Sequence, residues 1–213
     1  MRFERCKMLF GQDDFKKIQS AKIIILGVGG VGAHALDCLY RTGITDITIV
    51  DFDRYDETNQ NRQIGSDAIG EVKVERLAKL YPGITPIEAK IDLEWIENNP
   101  LDEYDLILDA IDDIKPKVAI IKKYYKKLIS SGGSAKRIDP TKIEYINIFK
   151  THNDPFVRKI RETLKKERFN KNFKIIFSSE VPRTSTKGSF VGVTGAFGLT
   201  MCSLCINKIL SKE

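Results

Sequence analysis

A glycine-rich turn between an apolar strand and a helix most constrains the fold of this chain. Residues 22–26 (KIIIL) form a short β-branched run that leads directly into residues 27–32 (GVGGVG). An apolar pattern of helical period follows over residues 31–41 and ends at Gly43, a residue type that commonly terminates helices. Strand, glycine turn and helix in this order favour a nucleotide-binding unit, in which backbone amides and the positive helix end face a phosphate.

Strand and helix patterns continue to alternate after this unit. Residues 46–50 (DITIV) predict a second strand, and residues 72–81 predict a helix that stops at Pro82 and Gly83. The further predicted elements are a weaker strand at 87–91, a strand at 105–108, a helix at 116–128 and a short strand at 128–130. Near-continuous apolar strands separated by helices are typical of a parallel sheet covered on both faces.

The pattern changes in the carboxy-terminal half. Residues 142–149 (KIEYINIF) alternate apolar and polar side chains, which predicts a half-exposed antiparallel strand. A basic helix at 155–166, a strand at 173–177 and a closing helix at 194–210 follow. We therefore predict one domain over residues 1–213, with a nucleotide-binding core at about 20–135 and a substrate-side extension at about 136–213. The expected fold class is α/β, a Rossmann-like and mostly parallel sheet with an antiparallel extension.

The composition is typical of a globular chain that needs no disulfide or structural metal to fold. The 213 residues are 42% hydrophobic and 30% charged, enough to build a core without disulfides or metal. Cys202 and Cys205 form one CxxC, half of a four-cysteine zinc site, so no structural zinc is expected. We interpret these two cysteines as core residues of an apolar helix, with redox or metal roles as the alternatives.

Two features bear on localisation. The amino terminus is charged where a signal peptide would be apolar. Residues 188–207 lack charges, but Gly192, Gly195 and Gly198 dilute their hydropathy, so a buried helix is expected instead of a membrane span. We predict a cytoplasmic protein that does not associate with a membrane.

Polar residues gather after the second strand. Asp51 follows the glycine turn by about 20 residues, where a carboxylate can accept hydrogen bonds from ribose hydroxyls. Those two features alone would suit an NAD-dependent oxidoreductase. The residues that follow suit triphosphate chemistry better: Asp53, Asn59, Asn61, Arg62, Gln63 and Lys73. A guanidinium forks onto phosphate oxygens, amides hold the ribose or phosphates, and an ammonium neutralises a further phosphate.

A second acidic group closes the fourth predicted strand. Asp109 and Asp112 lie in ILDAIDD, at the carboxyl edge where open α/β sheets bind ligands. Asp112 is a candidate ligand of Mg²⁺, through which a carboxylate can bridge to phosphates, with helix capping or solvation as the alternative. Asp113, beside it, could equally cap the next helix.

These motifs together resemble a known group of enzymes. GVGGVG, DFD, NQNRQ, Lys73 and LDAIDD stand in the order and approximate spacing of the ubiquitin-activating-like adenylating enzymes, over most of residues 20–135. The finer match is to the tRNA threonylcarbamoyladenosine dehydratase branch of this ThiF-type superfamily. It is carried by RTGITDITIVDFD, TNQNRQI, LDAIDDIKPK, IDPTKI at 138–143, DP at 154–155 and FSSE at 177–180.

The resemblance implies a specific activity. Enzymes of that branch use ATP to activate the carboxylate of threonylcarbamoyladenosine in tRNA, which then cyclises with net loss of water. The implied partners are that tRNA and a second copy of the chain as a homodimer, and a sulfur-transfer protein is a further candidate. The second hypothesis is adenylation of the carboxy terminus of a ubiquitin-like or sulfur-carrier protein, which the missing second CxxC disfavours. The third is a nucleotide-sensing module without turnover.

The resemblance also implies residue roles. Gly29, Gly30 and Gly32 would pack on ATP, and Asp51 would bind its ribose. The implied catalytic residues are Arg62, Lys73 and Asp112. Arg62, Lys73 and Asn61 would grip the phosphates, and Asp112 would hold Mg²⁺ or orient the triphosphate. The further nucleotide contacts expected from the cluster are Asp53, Asn59, Gln63 and Asp109.

Three groups of residues stay open at this level. Lysines and arginines concentrate at 115–127 and 158–174, and each run is either a solvated helix face or a set of RNA phosphate contacts. His34 and His152 are expected to be structural. Glu180 has no assigned role beyond possible orientation or acid–base work.

Overall fold

The computed structural model describes residues 2–186 and 188–211, and this part of the chain folds into seven strands and eight helices. The strands are β1 (Ile23–Leu26), β2 (Ile47–Asp51), β3 (Thr85–Glu88), β4 (Leu106–Asp109), β5 (Leu128–Ser131), β6 (Ile143–Asn147) and β7 (Lys174–Ser178). The helices are α1 (Glu4–Phe10), α2 (Gln12–Ser20), α3 (Gly30–Thr42), α4 (Lys73–Leu80), α5 (Leu93–Asn98), α6 (Ile114–Tyr124), α7 (Pro155–Lys166) and α8 (Val191–Leu210).

The strands form one sheet in the order β3-β2-β1-β4-β5-β7-β6. Every pairing is parallel except that between β6 and β7, which is antiparallel. Leu26 lies opposite Val50 on one neighbouring strand and Asp109 on the other, so β1, β2 and β4 end at the same edge. The predicted fold class, a mostly parallel sheet with an antiparallel extension, is confirmed.

Helices cover both faces of the sheet. One apolar core lies between the sheet and α2, α3, α4 and α8, and the other between the sheet and α5, α6 and α7. All four residues of β1 are buried, because this central strand packs against helices on both sides. Burial on both faces explains its continuous apolar sequence.

The structure departs from the sequence prediction mainly at the periphery. The prediction did not include α1, α2 and α5, which are short helices with few buried side chains. The weak strand predicted at 87–91 lies instead at Thr85–Glu88, an edge strand whose exposure removes the apolar signal. The helix predicted at 116–128 is α6, which begins two residues earlier because Asp113 caps it through the Lys115 amide at 3.1 Å.

Helix α8 is the closing helix that the sequence predicts. Among the described residues it is the one helix long and apolar enough to cross a membrane by length and composition, yet half of its most apolar stretch is buried in the protein. Its buried side chains include Phe197, Met201, Cys202 and Cys205. The burial of both cysteines supports their interpretation as core residues, and burial raises the pKa of the Cys205 thiol.

Helix α8 lies unusually close to α3. A Cβ on Gly198 would lie 2.5 Å from the carbonyl oxygen of Val31 and 2.8 Å from the amide nitrogen of Ala35. A Cβ on Gly195 would lie 3.6 Å from the imidazole of His34, so this histidine packs between the two helices as expected for a structural residue. The sequence therefore needs glycine at position 198 for the two backbones to meet.

We predict that Gly198→Ala destabilises the protein by about 1–3 kcal/mol, since the added methyl meets backbone atoms that cannot move aside. Urea unfolding followed by circular dichroism measures the change. The matched control is Ser203→Ala, at an exposed position on the same helix, which should change stability by less than about 0.5 kcal/mol. Equal stability of Gly198→Ala and the parent protein would contradict the close packing.

Candidate nucleotide-binding site

The glycine turn lies at the carboxyl end of β1, between the ends of β2 and β4. The chain moves outward to β3 on one side of β1 and then crosses to β4 on the other. The two connections diverge at this point, and the crevice that they leave is the usual ligand site of an open α/β sheet. Helix α3 begins at the turn without a side-chain cap, so the amides of its first turn are left for a ligand.

The glycines of the turn have different tasks. Gly27 has φ of +85°, and a Cβ on Gly32 would lie 1.9 Å from its carbonyl oxygen, so these two glycines permit the tight turn itself. A Cβ on Gly30 would lie 2.4 Å from Cγ2 of Thr194, on α8. A Cβ on Gly29 would meet only Nε2 of Gln63, at 3.9 Å. Gly29 therefore presents open backbone to the crevice.

Asp51 holds the turn from the neighbouring strand. Its Oδ2 accepts the Val28 amide at 2.8 Å, and its Oδ1 accepts the Asp53 amide at 2.9 Å. The residue is 8% exposed, so the carboxylate is almost enclosed. These bonds link the glycine turn to the loop after β2. The ribose contact expected of Asp51 stays a prediction.

Lys73 and Asp53 are brought together across 20 residues. The Lys73 ammonium lies 2.8 Å from Oδ2 of Asp53, and the Lys73 amide donates to the Asp53 carbonyl at 3.0 Å. The lysine side chain is only 5% exposed, whereas the aspartate side chain is 47% exposed. The pair places a shielded positive charge and an accessible carboxylate beside the turn.

Arg62 also reaches the turn. Its Cγ lies 3.4 Å from where a Cβ of Gly30 would stand, while its guanidinium donates to the Thr58 carbonyl at 2.7 Å and to Oδ1 of Asn61 at 2.9 Å. Nδ2 of Asn61 donates in turn to the Ser189 carbonyl at 3.0 Å, next to α8. The guanidinium is thus bound to its own loop at the mouth of the crevice.

Gln63 carries an unsatisfied acceptor in this region. Its Oε1 is buried and has no hydrogen-bond partner among the described residues. Buried polar atoms are nearly always paired, so an acceptor next to the open face of Gly29 fits a ligand that donates a hydrogen bond. The position supports the expectation that Gln63 contacts the nucleotide.

Asn59 shapes the loop that carries these residues. It is 5% exposed and its carbonyl accepts the amides of Arg62 and Gln63 at 3.0 and 2.9 Å. Its side chain completes a capping box with Asp56 on the short 3-10 helix Glu57–Asn59. These contacts orient Arg62 and Gln63, a role that the sequence did not reveal.

Asp109 lies behind the crevice. Its carboxylate is completely buried, 2.7 Å from the Lys117 ammonium and 2.7 Å from the Ser130 hydroxyl, and it accepts the Ile111 amide at 3.0 Å. The sequence places Asp109 among the nucleotide contacts, but the structure gives it no exposed surface. It orders the loop that leads to Asp112.

Lys117 is a site residue that the sequence analysis missed. It is fully buried, and desolvation lowers the pKa of its ammonium below the ordinary lysine value, although the neighbouring Asp109 opposes this. In the sequence, Lys117 stands within the apolar stretch PKVAII. A lysine in such a stretch is ordinarily expected to extend its ammonium to solvent, so nothing in the sequence indicates that it is buried. Only the sheet register brings Asp109 and Ser130 to it.

Asp112 and Asp113, the next two aspartates, differ in their contacts. Asp113 caps α6, as the sequence allows. Asp112 is exposed, and within residues 2–186 and 188–211 no hydrogen bond or ion pair engages its carboxylate. That carboxylate is therefore available to a ligand at the edge of the crevice. The described residues contain no cluster of three or more His, Cys, Asp or Glu that could hold a metal.

Arg137 and Glu180 hold the loops that follow β5 and β7. Arg137 is 3% exposed, and its guanidinium donates to the carbonyls of Gly133, Ala135 and Glu180 at 2.6 to 3.2 Å. The Glu180 carboxylate accepts the amides of Ile138 and, at 2.9 Å, Asp139. Glu180 is thereby engaged in loop structure in this conformation.

Asp154 completes the same network. It lies 3.5 Å from the Arg137 guanidinium and caps α7 through the Phe156 and Val157 amides, both at 3.0 Å. Burial raises the pKa of Asp154 above its ordinary value, and the arginine and the amides oppose that shift. The remaining histidine, His152, packs edge-on against Phe177 with ring centres 5.5 Å apart.

Comparison with known proteins agrees with this geometry. The sequence pattern of the ThiF family matches residues 3–213. The chain belongs to the ThiF family. Among curated members, the tRNA threonylcarbamoyladenosine dehydratase of Bacillus subtilis is 35% identical over 191 residues, covering 84% of this chain and 75% of the relative. That of Haemophilus influenzae is 30% identical over 247 aligned positions, covering 100% and 94%.

Solved structures within the ThiF family show the same fold. The Escherichia coli tRNA N6-threonylcarbamoyladenosine dehydratase in complex with ATP superposes with a TM-score of 0.92 at 32% identity, covering 98% of this chain and 93% of that one. Its complex with AMP gives a TM-score of 0.92 at 31% identity, covering 98% and 94%.

We predict that Lys117→Met destabilises the protein by about 3–5 kcal/mol at neutral pH, because it leaves the Asp109 carboxylate buried without its partner. Urea unfolding measures this change.

The matched control for that prediction is Lys115→Met, at an exposed position two residues earlier on α6. It should cost less than about 0.5 kcal/mol. A Lys117→Met deficit no larger than that of Lys115→Met would contradict the role of the buried pair.

Proposed function

We propose that this chain is an ATP-dependent enzyme that dehydrates threonylcarbamoyladenosine in tRNA to a cyclic product. The observation that carries the proposal is the convergence of the open glycine turn, Arg62, Lys73 and the unengaged Asp112 at one edge of the sheet. The names of the curated relatives, and the ATP and AMP bound to the solved one, support it. The single domain of residues 1–213 would carry both the nucleotide site and the RNA site.

ATP is consumed as a substrate in this scheme. The open backbone at Gly29 and the start of α3 would face its phosphates, while Gly30 and Gly32 allow the turn to pack against Thr194 and the Gly27 carbonyl. Gln63 offers its unpaired Oε1 to a hydroxyl of the nucleotide, and Asp51 and Asp53 lie where the ribose would reach the end of β2. Arg62, Asn61 and Lys73 supply donors and positive charge for the phosphates.

The residues present fit Mg²⁺ only if the ion binds together with the nucleotide. Asp112 provides a carboxylate oxygen, the donor that Mg²⁺ prefers, and the other ligands would come from phosphate and water. When bound, the ion would neutralise phosphate charge.

Activation of the carboxylate comes first. A free carboxylate is a poor electrophile because its charge repels nucleophiles, and transfer of AMP to one of its oxygens removes that charge. The oxygen attacks the α-phosphorus, and pyrophosphate leaves. Negative charge accumulates on the α-phosphate, where the Arg62 guanidinium would stabilise it after leaving the Thr58 carbonyl and Asn61.

Ring closure follows on the same molecule. The neighbouring carbamoyl group attacks the activated carbonyl, AMP departs with the former carboxylate oxygen, and a proton is released. The net change in the nucleoside is the loss of one water. Because nucleophile and electrophile belong to one side chain of the RNA, proximity supplies much of the rate.

The quaternary and cellular setting is part of this proposal. A homodimer is proposed from the sequence resemblance. We further propose a cytoplasmic location, where tRNA is available. A sulfur-transfer partner stays a prediction from sequence resemblance alone.

The decisive experiment is a nucleoside analysis. The protein is incubated with ATP, Mg²⁺ and tRNA carrying threonylcarbamoyladenosine, and the digested RNA is weighed by mass spectrometry. We expect a nucleoside lighter by one water, formed only with ATP. An unchanged mass together with pyrophosphate exchange stimulated by a small carrier protein would replace this proposal with carrier activation. ATP binding with neither signal would leave a sensing module.

We predict that Arg62→Ala lowers the turnover rate far more than the affinity for ATP, by about 10²-fold or more. The guanidinium is proposed to act on charge that develops only in the transition state. Single-turnover rates and equilibrium ATP binding separate the two quantities. Turnover equal to that of the parent protein would remove Arg62 from the mechanism.

The adjacent aspartates offer a matched pair. Asp112→Asn should reduce turnover by at least about tenfold with little change in stability, because its charge faces the site and supports no fold contact. Asp113→Asn should keep near-parent turnover, because asparagine also caps helices. Comparing both rates and both unfolding curves tests the assignment, and equal rates in the two variants would contradict it.

A further inference from the structure

A cavity of about 780 Å³ lies at the amino ends of β4 and β5, the sheet edge opposite to the glycine turn. The end of α2, the segment after α6 and the end of α8 enclose it. A second cavity of about 370 Å³ adjoins it and shares Tyr125, Lys126 and Lys208 with it. We call the two together the lysine cavities.

The lining of the lysine cavities is strongly basic. Its charged residues are Lys17, Lys123, Lys126, Lys127, Lys174 and Lys208 against Asp102 and Asp105. Six lysines and two aspartates leave an excess of four positive charges, compared with +6 for the whole chain. The Asp105 carboxylate is in addition engaged by the Lys22 amide at 2.7 Å. Lys17 is in turn paired with Asp14 at 2.7 Å, outside the lining, so the lining keeps a clear positive excess.

Several of these charges are held in place. The Lys127 ammonium donates to the carbonyls of Leu101, Asp102 and Tyr104 at 2.8 to 2.9 Å. Lys126 is exposed where the two cavities meet, and Lys174 lies 5.6 Å from the centre of the Tyr145 ring. A preorganised field of this kind attracts a polyanion without the entropy cost of gathering loose side chains.

Helix α6 connects this end to the candidate active site. It starts beside Asp112 and ends at Tyr124, which lines the larger cavity, a length of about 16 Å for its 11 residues. It packs against α7, and the exposed faces of the two helices are basic. Their exposed cations are Lys115, Lys122, Lys123, Arg158, Lys159, Lys165 and Lys166. The lysine cavities thus lie at the far end of a basic surface that begins at the site.

The chemistry of the lining distinguishes between two kinds of partner. Protein interfaces are anchored by exposed apolar side chains at their centre, and none of the exposed large apolar residues in the described part of the chain lines either cavity. Nucleic-acid interfaces are polar and rich in positive charge. Lysines without base-reading side chains suit phosphates at any sequence.

We propose that the lysine cavities bind the sugar-phosphate backbone of the tRNA substrate, away from the nucleotide that reacts. The proposal rests on the proposed function for the identity of the RNA. It assigns the basic runs at 115–127 and 158–174 a common task, which is to position the RNA along α6 and α7 with its reactive adenosine at the glycine turn.

The test compares two double variants. Lys126→Gln with Lys174→Gln removes two exposed charges from the cavities, and Lys79→Gln with Lys90→Gln removes two exposed charges from elsewhere on the surface. The affinity of each for tRNA is measured without ATP by fluorescence anisotropy, between about 50 and 200 mM salt. Each lost phosphate contact reduces the slope of log K against log salt by about 0.7 to 0.9.

We expect the cavity variant to lose between about one and two units of slope and roughly tenfold in affinity, while the control variant matches the parent protein. In turnover the KM for tRNA should rise, with kcat at saturating tRNA unchanged, because the reacting groups are untouched. An unchanged slope, or equal losses in both variants, would overturn the proposal.

The outcome is separate from that of the proposed function. Binding is measured without turnover, so a slope loss confined to the cavity variant supports the surface even if no water is lost from the nucleoside. Normal dehydration with an unchanged slope would reject the surface and keep the activity. Loss of binding to an acidic protein, with tRNA binding intact, would also reject it.

Discussion

The backbone of residues 27–32 lies so close to its surroundings that the rest of the site depends on the absence of side chains there. A Cβ on Gly32 would lie 1.9 Å from the Gly27 carbonyl, and one on Gly30 would lie 2.4 Å from Thr194. Helix α8 packs equally closely on α3, and the absence of a side chain at Gly198 allows this approach. Close approach on both sides directs the free amides of α3 towards the crevice.

The charged residues of the candidate site form two groups, which are buried ion pairs that hold loops and accessible side chains at the carboxyl edge of the sheet. The buried pairs Asp109–Lys117 and Asp154–Arg137 are both almost completely enclosed, and each orders a loop at the carboxyl edge of the sheet. Removing either partner would leave an uncompensated buried charge, so these pairs constrain the fold locally. The exposed carboxylate of Asp112 and the guanidinium of Arg62, which is bound only to its own loop, do not support the core, and we propose that both serve the reaction.

The candidate nucleotide site and the proposed RNA-binding surface lie at opposite edges of the sheet. Nucleotide-facing groups lie at the carboxyl edge, while the lysine cavities lie at the amino edge, joined by the basic helices α6 and α7. A long polyanionic substrate can contact both ends at once, whereas a small nucleotide reaches only the first. Binding energy gained at the distant end would position the reactive nucleoside without altering the reacting groups.

Much of this architecture could be predicted from local patterns. The apolar β-branched runs, the glycine turn and the helix stop at Gly43 indicated the central βαβ unit, and α7 lies exactly where its pattern placed it. Edge elements were missed or shifted, since β3, α1 and α5 bury too few side chains to leave a period in the sequence. Hydrophobic periodicity in a sequence arises from buried side chains, and these elements bury few of them.

The sequence by itself determined the order of strands and helices, the need for glycine in the turn, and the set of polar residues at the carboxyl edge. Only the tertiary structure decided which of those residues are buried and which are exposed at that edge. Asp109 and Asp112 are three residues apart and chemically identical, yet parallel pairing of β4 with β5 buries the first against Lys117 and leaves the second exposed. Desolvation and partner geometry depend on chain segments far apart in sequence, so no local pattern contains them.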